Sequence, residues 1–123
     1  VLASRNRFKL YVNEARYAAR DGQYERAIVL FEHARAQDPD ARAGTIISYL
    51  DAQLAFLRRD RVALDIARER VRAEVMSPPN NDDGLRQLAG QLLLNQVDGF
   101  VRCFDRTYLE ADTNACNSMA RAR

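Results

Sequence analysis

No stretch of this chain approaches the roughly 18 consecutive apolar residues of a membrane-spanning helix, so no span is expected. Tryptophan is absent, and the aromatics, at 8% of the sequence, fall at helical core spacing. No platform for stacking nucleic-acid bases is therefore visible. The net charge of +2 is too small for bulk attraction to a polyanion, and nucleic acid is not an expected partner. The single histidine, His33, and the pair Cys103 and Cys116 match no zinc-ligand spacing, and there is no CxxC. A glycine-rich phosphate loop and an HExxH helix are missing as well. Serine, histidine and acidic residues occur without any catalytic motif. These absences point away from an enzyme, a metal centre or a cofactor. Lysine is nearly missing too: Lys9 stands alone against 18 arginines. Arginine suits carboxylate and phosphate recognition, but a GC-rich genome produces the same bias, and from it a bacterial source is expected.

What remains is a chain of 123 residues with 47% hydrophobic content, read as one folded domain over 1–123 with enough length for a core of its own. It begins at Val1 rather than Met, as a processed or excised piece would; no signal peptide is expected within it, and a targeting segment upstream stays open. Apolar residues recur with helical period. Phe8, Tyr11, Ala15 and Ala18 mark a helix over 4–20, and Tyr24, Ala27, Ile28, Phe31 and Ala34 mark one over 23–36. Gly22 supplies the turn between them, and Pro39 punctuates the turn that follows. A third helix over 42–58 is apolar nearly all round, as a helix buried between neighbours is. A fourth, over 61–76, is expected to face inward with Val62, Ala63, Ile66, Ala67 and Val71. The segment SPPNNDDG at 77–84 is the longest loop. A fifth helix over 85–96 should bury Leu85, Leu88, Ala89 and Leu92. After a turn at Asp98-Gly99, a sixth over 100–110 should bury Phe100, Cys103, Phe104 and Tyr108. A last short helix is expected from Asp112, as N-cap, to about Arg121.

The slots Tyr11, Ala15, Ala27, Phe31, Ala34 and Pro39 follow the aromatic, small, Ala, aromatic, small, Pro order of one repeat unit, and residues 8–39 resemble a tetratricopeptide repeat. Beyond them the pattern is degenerate. If Ala27, Ala63 and Cys103 fill one slot, the spacings are 36 and 40, against a family period of roughly 34. The resemblance implies an all-α fold: a right-handed superhelical stack of about three antiparallel helical hairpins with a C-terminal capping helix. A different antiparallel helical bundle is the competing architecture.

One polar stripe runs along the first helix through Arg5, Lys9, Asn13, Arg16 and Arg20. In tetratricopeptide arrays such helices line a concave groove, so the resemblance implies that Lys9, Asn13, Arg16 and Arg20 face a partner. Tyr49 and Gln53 on the third helix would lie between that wall and an amide row at Gln87, Gln91 and Asn95. A basic wall and an amide wall suit a peptide or protein segment bearing acidic residues, because arginine and lysine form charge-assisted hydrogen bonds to carboxylates. An ordinary solvated helix face looks the same. The carboxylate clamp of co-chaperone members of the family is not supported, since the third helix has no asparagine. Cys103 and Cys116 lie 13 residues apart, across an expected turn. A disulfide between them would stabilise by roughly 3 kcal/mol through loop-closure entropy and would place the chain in an oxidising compartment such as a periplasm. Two unlinked thiols and a cytoplasmic location form the other reading. The expected function is a non-enzymatic interaction module, an adaptor or assembly factor of a bacterial cell envelope. The alternative is a structural subunit of a larger chain, complex or homo-oligomer.

Overall fold

In a computed structural model, the backbone is described for residues 2–37, 45–76 and 84–113, and side chains for 7–37, 47–76, 88 and 90–113. Among the described residues the chain is all-helical: α1 (Leu2–Arg20), α2 (Tyr24–Gln37), α3 (Thr45–Leu57), α4 (Arg61–Met76), α5 (Gly84–Arg102) and α6 (Tyr108–Asp112). Each of the first five packs along its successor in sequence, α3 also meets α5, and α6 lies against α5 and α1.

The first joint follows from local chemistry. Gly22 sits at φ 84°, a left-handed conformation that glycine reaches without a Cβ penalty. The Gly22 amide donates to the Ala19 carbonyl and the Gln23 amide to the Ala18 carbonyl, at 3.1 and 2.8 Å. This is the Schellman ending of a helix. The α3–α4 joint repeats it. Arg59 amide donates to Phe56 carbonyl and Asp60 amide to Ala55 carbonyl, at 3.1 and 2.9 Å, with Arg59 at φ 57°. Asp60 then caps α4, its Oδ1 accepting from the Ala63 amide at 3.1 Å.

The core runs through all six helices. Ala15, Ala27, Phe31 and Ala34 bring α1 and α2 together, and the three alanines allow close approach. The central helix α3 is buried on nearly every side, through Tyr49, Leu50, Ala52, Leu54, Ala55, Phe56 and Leu57. Phe56, Phe100 and Tyr108 form an aromatic cluster with centroids 5.1 to 6.0 Å apart. Gly90 lets α5 approach α4, since a Cβ there would meet Val75 Cγ2 at 3.2 Å.

Four expectations change. On α4 the buried residues are Leu64, Ala67 and Val71, while Val62 and Ile66 are exposed. Two apolar arcs overlap on this helix, and the one facing α3 and α5 is centred on Leu64. On α5 the inward residues are Leu94, Val97 and Phe100, and Leu88 and Leu92 are exposed; Leu85 and Ala89 lie outside the described side chains. The helix does not break at Asp98-Gly99 but runs on to Arg102, because Gly99 is buried within a helix already held by packing on both sides of it. Residues 103–107 form the turn instead, and α6 begins after an N-cap at Thr107. Asp112 therefore ends a helix rather than starting one, and the helix expected over 112–121 lies almost wholly outside the described residues.

Candidate functional site

The polar stripe of α1 meets the end of α6. Arg16 Nη2 lies 3.3 Å from both carboxylate oxygens of Asp112. Arg20 donates through Nε to Asp112 Oδ2 at 2.7 Å, with its Nη2 at 2.5 Å from the same oxygen. Gln96 of α5 donates its amide to Asp112 Oδ1. The aspartate side chain is 0% exposed, whereas those of Arg16 and Arg20 are 33% and 40% exposed. A carboxylate thus sits fully enclosed between two arginines that each keep one side toward water.

Behind it lies a second layer. Tyr49 donates its hydroxyl to Gln96 Oε1 at 3.0 Å, and Tyr108 donates to Gln53 Oε1 at 2.6 Å. Gln53 is wholly buried. Burial raises the hydroxyl pKa of Tyr108, with Asp112 adding to the effect, and burial likewise raises that of Tyr49. Both phenols are therefore held as neutral hydrogen-bond donors. Burial disfavours the Arg16 charge, but attraction to its neighbours, the Asp112 carboxylate among them, outweighs it and holds the guanidinium above its ordinary value. Among the described residues, Arg16 Nε and Gln53 Nε2 are buried donors without a well-formed acceptor; the Arg16 side chain bears on Tyr108 and that of Gln53 on Tyr49.

The approach to α6 is fixed separately. Arg59 donates to the carbonyls of Phe104 and Arg106 at 2.6 and 3.1 Å and lies over the rings of Phe56 and Tyr24. The Tyr108 amide donates to Tyr24 Oη at 2.9 Å. Thr107 and Glu110 form a capping box, and the hydrogen bonds from Thr107 lower the Glu110 pKa.

Of the expected partner-binding residues, the structure brings Arg16, Arg20, Tyr49 and Gln53 together. It does so around the chain's own Asp112 and Tyr108, so Tyr49 and Gln53 are buried rather than open to a ligand. Lys9 and Asn13 are exposed. Asn13, Arg16, Tyr17 and Arg20 line an open hollow of about 190 Å³. On α5, Gln91 donates to Asn95 Oδ1 at 3.2 Å on an exposed face, away from the buried cluster, and Gln87 lies outside the described side chains. Cys103 is buried in the turn after α5, and Cys116 lies outside the described residues. His33 is exposed and stacks on Tyr11 at 5.4 Å.

Sequence reasoning missed Asp112, read as an N-cap, and Gln96, one residue off the amide row. The only available signal was the four-residue spacing of Tyr108 and Asp112, which puts both on one face of a helix. No local pattern links Asp112 to arginines 92 and 96 residues away. Among the described residues, no three His, Cys, Asp or Glu side chains gather as a metal site, and no helix is long and apolar enough to cross a membrane. Compared with protein-family models, curated proteins and solved structures, the chain matches none.

Proposed function

We infer that the chain is a protein-binding module of tetratricopeptide type, a right-handed stack of helical hairpins that takes a partner segment bearing acidic residues. The observation that supports this most directly is the hold of Arg16, Arg20 and Gln96 on a carboxylate. Two guanidinium groups of α1 and an amide of α5 form a receptor for one carboxylate. In this reading Lys9 and Asn13, exposed beside it, steer and contact the partner, and no reaction is catalysed.

Capture of partner by the intact chain from an extract of its native host tests the reading. The double variant Lys9→Glu/Asn13→Asp should lose the captured protein. Arg70→Glu/Arg72→Glu, on the exposed face of α4, should retain it. Equal loss in both would mean that total charge, not this face, is recognised, and the reading would fall.

Exposed Leu88 and Leu92, one turn apart on α5, favour a second reading, a subunit whose α5 face is covered in a complex or homo-oligomer. An increase of mass with concentration in light scattering would support it over the first. An extracytoplasmic location, with the periplasm as its proposed site, rests on pairing of Cys103 with Cys116. It predicts a mass two daltons lower before reduction, in protein isolated from its native compartment. Two titratable thiols in the denatured protein would remove that support.

A further inference from the structure

We propose that α6 is an internal occupant of the binding site, and that the partner is a helical segment presenting an aromatic residue and a carboxylate one turn apart. This deepens the protein-binding reading above and rests on it. The specificity is written by the occupant. Tyr108 fills the slot made by Phe56, Phe100 and Gln53, and Asp112, four residues on, fills the slot made by Arg16, Arg20 and Gln96.

Three observations make α6 a replaceable occupant. First, the groups that hold the side chains of Tyr108 and Asp112 belong to α1, α3 and α5, so the socket is built without α6. Second, α6 has only five residues, far below the length at which a helix holds itself together. Its acidic Asp112 stands at the C-terminal end, where the helix dipole disfavours negative charge. Third, Arg16 Nε and Gln53 Nε2 are buried without a well-formed acceptor while α6 is in place, and buried donors are normally satisfied. The rigid approach through Thr107, Arg59 and Tyr24 keeps α6 close at high effective concentration, which sets a threshold that weak acidic ligands fail to cross.

The probe is a capped synthetic peptide with the sequence of residues 104–113, FDRTYLEADT. It is titrated into the intact wild-type chain and into Asp112→Asn, with binding read by calorimetry and melting temperature. We expect Asp112→Asn to bind the peptide at least about tenfold more tightly than wild type, because the internal competitor has lost its carboxylate. Asparagine in place of the last aspartate of the peptide should abolish that gain. Hydrogen exchange on the wild type keeps the test independent of the variant's folding. Saturating peptide should raise exchange at the amides of Ala111, Asp112 and Thr113 and leave α2 to α4 unchanged. Equal affinity for wild type and variant, with α6 protection unaltered, would show that the peptide binds elsewhere; α6 would then be a fixed structural element. Absence of binding to either protein would also overturn the proposal. The broader protein-binding reading would still be decided separately, by partner capture with the Lys9 and Asn13 variants.

Discussion

The joints after α1 and after α3 share one backbone solution and differ in what it does. Both end a helix with a left-handed residue and the same pair of hydrogen bonds. The first uses Gly22, around which an added Cβ would meet nothing within 4 Å. The second uses Arg59, an arginine in a conformation that disfavours side chains by roughly 1–2 kcal/mol. The difference lies in the partner. Gly22 makes a turn and nothing more, whereas Arg59 reaches the carbonyls of Phe104 and Arg106 and ties the C-terminal segment to the central helix. A strained residue at a joint is thus a sign that the joint holds something distant. The same contrast separates the regions themselves. Helices α1 to α4 are held mainly by apolar stripes, whereas 103–113 adds to its buried Cys103, Tyr108 and Ala111 a set of long-range polar contacts to Tyr24, Arg59, Arg16, Arg20, Gln53 and Gln96.

Removal of the most enclosed of those contacts should have the largest effect. Asp112→Ala should destabilise by about 3 kcal/mol, the lower end for breaking a buried ion pair. Arg16 and Arg20 keep partial exposure, and water takes up part of the charge they leave uncompensated. Urea denaturation measures this. A loss below about 1 kcal/mol would place the pair with ordinary surface ion pairs and would erase the distinction between the two regions.

The joints can be set against each other by exchange. Gly22→Ala should cost about 1 kcal/mol, from the positive φ alone. Arg59→Gly relieves the same strain but removes two charge-assisted hydrogen bonds, each worth roughly 1.5–3 kcal/mol when buried and less at this exposed site. A net loss of about 1 kcal/mol is expected. Stabilisation by Arg59→Gly in thermal melts would mean that Arg59 only stands in for a glycine.

The last effect is confined to alkaline pH and is absent near neutrality. Tyr49 and Tyr108 have raised folded-state pKa values because burial disfavours the phenolate. Their contribution to stability is complete below the ordinary tyrosine value of roughly 10. It is lost as pH rises through the raised folded values, because the unfolded chain releases those protons first. Absorbance near 295 nm should show these two tyrosines ionising only together with unfolding. Smooth ionisation of all five tyrosines with the fold intact would mean that water reaches the second layer.

The helical class, the bounds of α1, α2 and α4 to within about two residues, and the burial of Ala27, Phe31 and α3 were legible in the sequence. Each depends on a period or a turn residue, which are local properties of the chain. The facing of α4 and α5 was not legible. Val62 and Ile66 are as apolar as Leu64 and Val71, and only the positions of α3 and α5 decide which arc is covered. Nor was the fate of the α1 stripe. Its spacing showed a row of cations on one face, and an exposed row and an engaged row have the same spacing. Asp112 closes on Arg16 and Arg20 because α5 runs unbroken past Gly99 and the turn at 103–107 returns the chain across α1. That meeting joins residues more than 90 positions apart, and long-range juxtaposition of this kind is decided by packing, which has no counterpart in the local order of residues.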